Sequence, residues 1–236
     1  MDFTNKVALV TGATKGIGKA TVEIMISHGA KVIATGRNEK ALAELSDRYG
    51  SSILTYKCDV SDEEAVNNMV ADATKKTGGI DILVNNAGIY MEDKGPFVSQ
   101  TSDIWKKKVD INIFGTLYPT HAVLPQMIER CSGRIINIAS VAGIYGIRDM
   151  LDYSLTKGAI ISFTTGLARE VGPYNITVNA VSPGNINTYN ELPELSYMNR
   201  SGTPKECANV ICFLASDEAS FVSGSNYVVD GSRKKI

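Results

Sequence analysis

Short apolar runs alternate with amphipathic stretches along almost the whole chain. The short runs predict buried strands, and the stretches with apolar residues every three or four positions predict helices. The predicted strands cover residues 6–11, 31–35, 53–58, 80–84, 134–138, 177–181 and 227–229. The predicted helices cover residues 16–28, 39–49, a segment opened by the capping-box pattern Ser61-Asp62-Glu63-Glu64, a long stretch through Trp105 and Met127, and residues 153–171 and 204–215.

This alternation predicts an α/β fold. Because the strands are apolar throughout, we expect a parallel sheet with helices on both faces. No repeat or linker divides the 236 residues, so residues 1–236 are interpreted as a single domain. In such sheets ligands bind beyond the carboxyl ends of the strands. Gly12, Gly88, Ser140 and Pro183 each follow a predicted strand, and we expect all four at that edge.

A glycine-rich turn, Thr11-Gly12-Ala13-Thr14-Lys15-Gly16-Ile17-Gly18, connects the first strand to the first helix. Glycines let the backbone approach a pyrophosphate, and the N–H groups at a helix N-terminus bind anions. The turn lacks the G-x-G-x-x-G spacing. It is also no P-loop, because that motif needs one residue fewer between its glycines and a hydroxyl where Ala20 stands. The turn is interpreted as a dinucleotide pyrophosphate site, with a tight turn that binds nothing as the alternative.

Tyr153 and Lys157 lie one turn apart on one face of a predicted helix. A lysine ammonium there favours the tyrosinate and lowers the phenol pKa from about 10, which makes tyrosine usable as a general acid or base. Tyr90 and Lys94 have the same spacing, but Asp93-Lys94-Gly95-Pro96 is a turn sequence that would not hold them on a helix. We therefore expect Tyr153 and Lys157 to be the reactive pair.

Composition and charge argue against several other functions. Lys+Arg 24 against Asp+Glu 25 leaves no basic excess for a nucleic acid partner. No apolar run approaches the about 20 residues of a membrane span, and the N-terminus shows no signal-peptide core. Two histidines and four cysteines without metal-ligand spacing predict no metal site. The cysteines are expected to be reduced thiols in a cytoplasmic protein.

These motifs give the chain a resemblance, over nearly its whole length, to the short-chain dehydrogenase/reductase family. The matching residues are Thr11-Gly12-x-x-x-Gly16-x-Gly18, Asp59, Asn85-Asn86-Ala87-Gly88, Asn112, Ser140, Tyr153-x-x-x-Lys157 and Pro183-Gly184. The resemblance implies a Rossmann-type doubly wound domain with seven parallel strands and a nicotinamide dinucleotide cofactor. It implies cofactor contacts from Gly12, Thr14, Lys15, Gly16, Ile17, Gly18, Arg37, Asp59, Val60, Asn86, Ala87, Gly88, Tyr153, Lys157, Pro183, Gly184, Ile186 and Thr188.

The resemblance also implies catalytic roles. Tyr153 would protonate the developing alkoxide in ketone reduction, and Ser140 would hydrogen-bond the same oxygen. Lys157 would bind the nicotinamide ribose, and Asn112 would hold a water that links Lys157 to solvent. Asp59 would contact the adenine. Asn112 has a helix-packing role as its alternative, and Asp59 a role in a strand-end turn.

The cofactor preference is predicted at the end of the second strand, Ala34-Thr35-Gly36-Arg37-Asn38. NAD-dependent enzymes usually place an acid there to bind the ribose hydroxyls. Here Gly36 occupies that position, Arg37 follows, and Lys15 lies in the facing glycine turn. Two cations and no carboxylate favour a 2′-phosphate, so NADP(H) is preferred over NAD(H). The alternative is that Arg37 is a solvated loop cation.

The segment after Pro183-Gly184, which determines substrate specificity in this family, is short: only residues 185–203 precede the next helix. The residues expected to face the substrate are Tyr90, Met91, Val141, Tyr145, Ile147, Met150 and Ile186, besides Ser140 and Tyr153. Their apolar character suggests a ketone without strong charge near the reacting carbon. Similarity is greatest to members that reduce 3-oxoacyl groups on acyl carrier protein, so the expected substrate is a small-molecule or thioester carbonyl.

Other functions remain open at this stage. They are an NAD-dependent alcohol, sugar or steroid dehydrogenase, and a non-catalytic NADP-binding sensor. The resemblance further implies a homodimer or homotetramer. Its contacts would be the two long helices, through Trp105 and Met127 and over residues 153–171, and the last strand near Val228.

Overall fold

The computed structural model describes residues 1–90, 94–187 and 192–234. Its strands are β1 (Val7–Thr11), β2 (Lys31–Gly36), β3 (Ile53–Lys57), β4 (Ile82–Asn85), β5 (Gly133–Ile138), β6 (Ile176–Pro183) and β7 (Asn226–Val229). Its helices are α1 (Gly16–Ser27), α2 (Glu39–Tyr49), α3 (Glu63–Thr77), α4 (Ser102–Val109), α5 (Gly115–Glu129), α6 (Ala142–Tyr145), α7 (Leu151–Val171) and α8 (Pro204–Ala215). A π-helical turn (Asp110–Phe114) joins α4 to α5.

The strands form one seven-stranded sheet in the order β3-β2-β1-β4-β5-β6-β7, and each neighbouring pair is parallel. The order reverses between β1 and β4, which is the topological switch point of a doubly wound fold. The predicted fold class is therefore confirmed.

Helices cover both faces of the sheet. Successive side chains of a strand point to opposite sides, so each strand packs against the helices on both faces. On one face Val10 and Val84 pack with Met25 of α1 and Ile211 of α8. On the other face Leu9 and its neighbours in the sheet pack against α3, α5 and α7. Burial on both faces explains why the strand segments are apolar without alternation.

Two helix predictions are wrong in their details. Asp62, not Ser61, caps α3, since its side chain accepts the Ala65 N–H at 3.0 Å. The Ser61 hydroxyl instead donates to Asp59 Oδ1 at 2.7 Å. The long helix through Trp105 and Met127 is interrupted by the π-helical turn. The short helix α6 was not predicted.

The described residues contain no helix that combines the length and the apolar character needed to cross a membrane. Over the same ranges, no cluster of histidine, cysteine and carboxylate side chains is arranged to hold a metal ion. All four cysteines are free thiols. Burial raises the pKa of Cys58 to about 11, and those of Cys207 and Cys212 to about 12, so these three are poor nucleophiles.

Candidate active site

The structure brings Gly12, Gly88, Ser140 and Pro183 to one edge of the sheet. Gly12, Gly88 and Ser140 follow the carboxyl ends of β1, β4 and β5, and Pro183 is the last residue of β6. These four strands are consecutive in the sheet, so the four residues lie side by side next to the switch point. The glycine turn and the reactive pair therefore share one edge.

Backbone conformation explains the glycines of the turn between β1 and α1. Gly12 and Gly16 have φ of 62° and 54°, values that L residues with side chains rarely adopt. Gly18 lies against the turn, and a Cβ there would stand 2.3 Å from the Gly12 carbonyl oxygen. The turn can therefore present its backbone at close range.

Asn86 and Thr11 join the turn to the end of β4. Asn86 Nδ2 donates to the carbonyls of Thr11 and Gly12 at 2.9 and 3.0 Å. In return, Thr11 Oγ1 accepts the N–H groups of Asn86 and Ala87, each at 3.0 Å. Thr11 was part of the sequence motif, but its role as the acceptor for this second segment was not predicted.

The N-terminus of α1 opens directly from this turn. Lys15 is the N-cap residue, and its side chain makes no capping hydrogen bond to the helix. The first N–H groups of a helix need an acceptor from outside the helix, and they carry a partial positive charge. The close-fitting glycines and this helix end together suit a pyrophosphate.

Gly36, Arg37 and Asp59 lie where the second and third strands end. A Cβ at Gly36 would stand 3.1 Å from the Thr14 methyl group, so an acidic side chain at position 36 would crowd the glycine turn. The Arg37 guanidinium lies 3.8 Å from Asp59 Oδ2, and both side chains are exposed. Burial raises the pKa of Asp59, but hydrogen bonds from Ser61 and the charge of Arg37 outweigh it and hold that pKa below its usual value. The Asp59 carboxylate therefore stays charged beside the guanidinium.

Val60 follows Asp59 but is buried. A Cβ placed on Gly115, at the start of α5, would stand 2.6 Å from the Val60 side chain. Val60 therefore packs under the loop, and any cofactor contact from it comes from its backbone or from the edge of its side chain.

Ser140, Tyr153 and Lys157 form a buried cluster, each with 8% or less of its surface exposed. The Tyr153 side chain is hydrogen-bonded to Ser140. Ser140 Oγ also accepts the Ala142 N–H at 3.1 Å. Lys157 Nζ donates to the Ile138 carbonyl at 2.7 Å and lies 5.8 Å from the centre of the Tyr153 ring.

The expected lowering of the Tyr153 pKa by Lys157 is not found. Burial raises the pKa of Tyr153, the hydrogen bond with Ser140 lowers it in part, and nearby Tyr90 raises it further. Burial also lowers the pKa of Lys157 to about 8. The loss of solvent thus dominates the pKa of both side chains.

Asn112 lies in the π-helical turn, beside Lys157. Its Oδ1 accepts the Ile89 N–H at 2.8 Å, and its Nδ2 donates to the Ile89 carbonyl at 3.2 Å and to Thr156 Oγ1 at 3.0 Å. A Cβ on Gly88 would stand 3.2 Å from Asn112 Oδ1 and 3.5 Å from Lys157 Nζ. The asparagine therefore fixes the loop after β4 close to the lysine, and its water-holding role stays a prediction.

The residues expected to face the substrate separate into two groups. Tyr145 is exposed, and the Tyr90 ring packs edge-on against Tyr153 with 5.1 Å between ring centres. Val141 and Met150 are instead buried, and Met150 packs with Tyr153, so their contact with the substrate stays a prediction.

Of the other expected contacts, Ile147 packs against the cluster that contains Tyr153, and Ile186 packs against the main core. Met91 and Thr188 lie outside the described residues. Neither Tyr90 nor Lys94 lies in a helix, as the turn sequence predicted.

The segment after β6 is held by hydrogen bonds within itself and by close packing against the C-terminal tail. Asn185 Nδ2 donates to the Leu192 carbonyl at 2.6 Å and to Ser201 Oγ at 2.8 Å. A Cβ on Gly184 would stand 2.4 Å from the Asp230 Cβ, which explains a glycine there.

Further along, Ser196 pairs with Arg233 in an antiparallel bridge. The Arg233 charge acts on Tyr90, whose pKa burial raises and Arg233 lowers in part. The chain thus places a cation of its C-terminal tail near the aromatic side of the site, which no sequence pattern indicated.

A row of buried, hydrogen-bonded polar side chains lies beneath the site. Of these side chains, the sequence predicted only Asn85. Asn85 Nδ2 donates to Asn137 Oδ1 and to Thr120 Oγ1, both at 2.9 Å, and Asn137 Nδ2 donates to Thr164 Oγ1 at 3.0 Å. Asn85 and Asn137 are direct partners in the β4–β5 register. An asparagine in the otherwise apolar run of β5 was the signal that could have revealed it.

Comparisons with known proteins agree with this geometry. A family model described as enoyl-(acyl carrier protein) reductase matches residues 12–232. The 3-oxoacyl-[acyl-carrier-protein] reductase FabG of Aquifex aeolicus is 38% identical over 96% of both chains, and that of Escherichia coli K12 is 35% identical over 98% of both. A solved structure of ElxO with NADP bound superposes with a TM-score of 0.91 and 33% identity, covering 96% of this chain and 97% of that one.

Proposed function

We propose, for a chain that belongs to the short-chain dehydrogenase/reductase family, that it reduces a ketone to a secondary alcohol with NADP(H) as hydride donor and Tyr153 as the acid. The observation that carries the proposal is the buried Ser140–Tyr153–Lys157 cluster on the same sheet edge as the glycine turn. A turn that suits a pyrophosphate and a hydroxyl pair that suits a carbonyl oxygen are what hydride transfer to a ketone needs. We propose a single catalytic domain over residues 1–236, with a shortened substrate segment at 185–203.

The protein supplies position and protons for this reaction. When bound, the nicotinamide supplies the hydride in reduction or accepts it in oxidation. Tyr153 transfers its phenolic proton to the carbonyl oxygen as negative charge develops there. Ser140 donates its own hydroxyl proton in a hydrogen bond to the same oxygen, while the Ser140 oxygen accepts the Ala142 N–H. The raised pKa of Tyr153 keeps the phenol protonated at neutral pH, which is the form that reduction requires.

Lys157 and Asn112 complete the catalytic set in this proposal. Lys157 donates one of its three protons to the Ile138 carbonyl, which leaves donors for the ribose hydroxyls. Because burial lowers the pKa of Lys157, it can also pass protons between solvent and Tyr153. Asn112 holds the Gly88–Ile89 segment against it.

The proposed cofactor is NADP(H). Gly36 leaves no carboxylate at the end of β2 that would repel a 2′-phosphate, and the exposed Arg37 guanidinium follows directly, 3.8 Å from Asp59 Oδ2. ElxO, one of the related structures, has NADP bound. Bidentate guanidinium–phosphate contact gives the discrimination against NAD(H).

The proposed substrate is a 3-oxoacyl group or a related bulky ketone, in the cytoplasm. The support is the name of the FabG relatives and the exposure of Tyr145 at the site. Because the substrate segment at 185–203 is short, a long acyl or thioester portion of the substrate can extend out of the site.

The test is consumption of NADPH, with NADH in parallel, across acyl thioesters, sugars, steroids and diketones. Tyr153→Phe is the control, since it removes one oxygen and keeps the ring. We expect turnover with NADPH on a 3-oxoacyl thioester that Tyr153→Phe abolishes. Tight NADPH binding without turnover on any ketone would instead favour a non-catalytic sensor.

A further inference from the structure

Two polar contacts join α4 and the π-helical turn to the first turns of α7. Lys108 Nζ donates to Asp152 Oδ2 at 2.5 Å, and Asn112 Nδ2 donates to Thr156 Oγ1 at 3.0 Å. The two contacts are one helical turn apart on both helices. Each member of the reactive pair comes directly after one of the contact residues on α7. The face of α4 is thus fixed to α7 at the two levels where the reactive side chains begin.

The first of these contacts is a fully buried ion pair. The side chains of Lys108 and Asp152 are 4% and 1% exposed, although Lys106 and Lys107 of the same lysine run are exposed. Taking both charges out of water is costly, and well-packed apolar residues of similar volume often stabilise such a position as well or better. Stability alone therefore does not account for this pair.

Asp152 also holds the backbone of the reactive tyrosine. Its Oδ1 accepts the Tyr153 N–H at 2.8 Å while Oδ2 accepts from Lys108. The N–H groups in the first turn of a helix have no partner within the helix, so this bond satisfies one of them. With both carboxylate oxygens bound, Asp152 cannot rotate without breaking one contact, and the start of α7 is fixed relative to α4.

We propose that the Lys108–Asp152 ion pair is a positioning element for the candidate acid: it sets the rotation of the first turn of α7 and thereby the placement of the Tyr153 hydroxyl against Ser140. This inference rests on the proposed function, in which Tyr153 transfers the proton. Lys108 acts on Tyr153 through Asp152.

The main test is the neutral double variant Lys108→Met/Asp152→Asn. Methionine preserves the unbranched chain, and the asparagine oxygen still accepts the Tyr153 N–H, so the exchange removes both charges of the Lys108–Asp152 pair together. We expect NADPH affinity to stay at the wild-type value and kcat for ketone reduction to fall by about tenfold to a hundredfold, the scale of a small misplacement of a reacting group.

The pH profile separates positioning from a loss of folded protein. The hydrogen bond with Ser140 lowers the pKa of Tyr153. Weakening it should move the rising limb of alcohol oxidation, which reports the tyrosinate, to higher pH. A structural role would lower kcat by the same factor at every pH, in proportion to the folded fraction measured by circular dichroism, and that result would overturn the proposal.

The matched control is Lys106→Met, the same exchange at an exposed position of α4. It should leave kcat and the pH profile unchanged. If the double variant does not fold, Asp152→Glu keeps the charge and displaces it by one methylene, and the same shift in profile is expected. Wild-type kcat and profile in both Lys108→Met/Asp152→Asn and Asp152→Glu would overturn the proposal.

A measurement without turnover keeps this inference separate from the proposed function. The ¹³Cζ resonance of labelled tyrosine, assigned to Tyr153 through Tyr153→Phe, reports hydrogen bonding of the phenol. We expect it to shift in the double variant and not in Lys106→Met. If the wild type reduces no ketone, the proposed function fails, while the resonance still tests the ion pair. Normal turnover with an unmoved resonance means that the positioning role alone fails.

Discussion

At the level of single residues, the proposed preference for NADP(H) over NAD(H) rests on Arg37. Replacing it with alanine removes the charge-assisted hydrogen bonds to a 2′-phosphate, worth about 1.5–3 kcal/mol. We expect Arg37→Ala to raise the Kd for NADPH by about tenfold to a hundredfold and to leave the Kd for NADH unchanged, as measured by fluorescence titration.

Arg48 offers the matched control for this substitution. It is as exposed as Arg37, with 62% against 63%, and it also pairs with a carboxylate, Glu23. Arg48→Ala should change neither Kd. An equal loss of affinity for both cofactors in Arg37→Ala would mean that Arg37 only supports the loop.

Lys157 illustrates a residue kept for chemistry at the expense of stability. Burial lowers its pKa from 10.5 to about 8 in the folded protein. Below pH 8 both the folded and the unfolded chain bind the proton, so the full penalty of about 3 kcal/mol is present at pH 7. Between pH 8 and pH 10.5 the unfolded chain binds more protons than the folded one, so stability rises with pH in that window.

The corresponding prediction concerns Lys157→Met in the protein without cofactor. The variant should be inactive. The free energy of unfolding of Lys157→Met minus that of the wild type should be higher at pH 7 than at pH 9.5, by about 2 kcal/mol. The lost hydrogen bond to the Ile138 carbonyl lowers stability equally at both pH values, so the difference isolates the charge. Urea denaturation at the two pH values measures it, and a pH-independent difference would contradict the lowered pKa.

At the level of secondary-structure elements, the contact of α1 with the glycine turn requires Gly18. A methyl group there would stand 2.3 Å from the Gly12 carbonyl oxygen and 2.4 Å from Asn86 Nδ2. We expect Gly18→Ala to lower the free energy of unfolding by about 1–3 kcal/mol, because the helix must move away from the turn. Binding of NADPH should weaken with it, since the N–H groups of α1 move too.

Gly166 of α7 provides the opposite case for the same exchange. It is exposed, and a Cβ there would meet nothing within 4 Å. Alanine has the higher helix propensity, so Gly166→Ala should raise the free energy of unfolding by about 0.5–1 kcal/mol. Thermal denaturation of both variants checks the pair. Similar changes in Tm for the two would show that α1 is not held against the turn.

The elements show what a sequence can predict. All seven strands were placed within two residues of their bounds. Burial on both faces makes each strand a short, continuous apolar run, a pattern that differs from the spaced apolar residues of the surface helices. Local patterns failed where two residues compete for one role, as with Asp62 and Ser61 at the start of α3. Ser61 fits the capping pattern, but its hydroxyl bonds Asp59, which only the fold of the loop decides.

The site was predictable to the same extent. That Ser140, Tyr153 and Lys157 lie together could be predicted, because the pair shares one helix face and a parallel sheet brings strand ends together; their catalytic roles stay a prediction. Lys108 could not be found, since it is the third of three lysines and its partner Asp152 is 44 residues away. The sequence does not distinguish a buried lysine from its exposed neighbours, and the pKa of Tyr153 likewise depends on burial that no spacing encodes.

At the level of the whole molecule, the apolar residues on the surface predict assembly. Leu151 and Leu155, one turn apart on α7, are 48% and 63% exposed. A second group lies at β7, the last strand of the sheet, and just before it. Val228 in β7 is 43% exposed, and Phe221 before β7 is fully exposed. Two separate patches that each contact the same patch on another copy would generate a tetramer with three two-fold axes, whereas one such patch would generate a dimer.

We therefore expect a homotetramer at micromolar concentration by light scattering. Leu155→Glu places a charge on the α7 patch and should give dimers held by the sheet edge. Phe221→Glu should give dimers held by α7, and the double variant should be monomeric, because each patch closes one two-fold contact. Ser51→Glu, at an exposed position just before β3 at the opposite edge of the sheet, is the control for added charge. A monomeric wild-type protein would show that these side chains remain in solvent, and a tetramer that survives Leu155→Glu would place the contacts elsewhere on the surface.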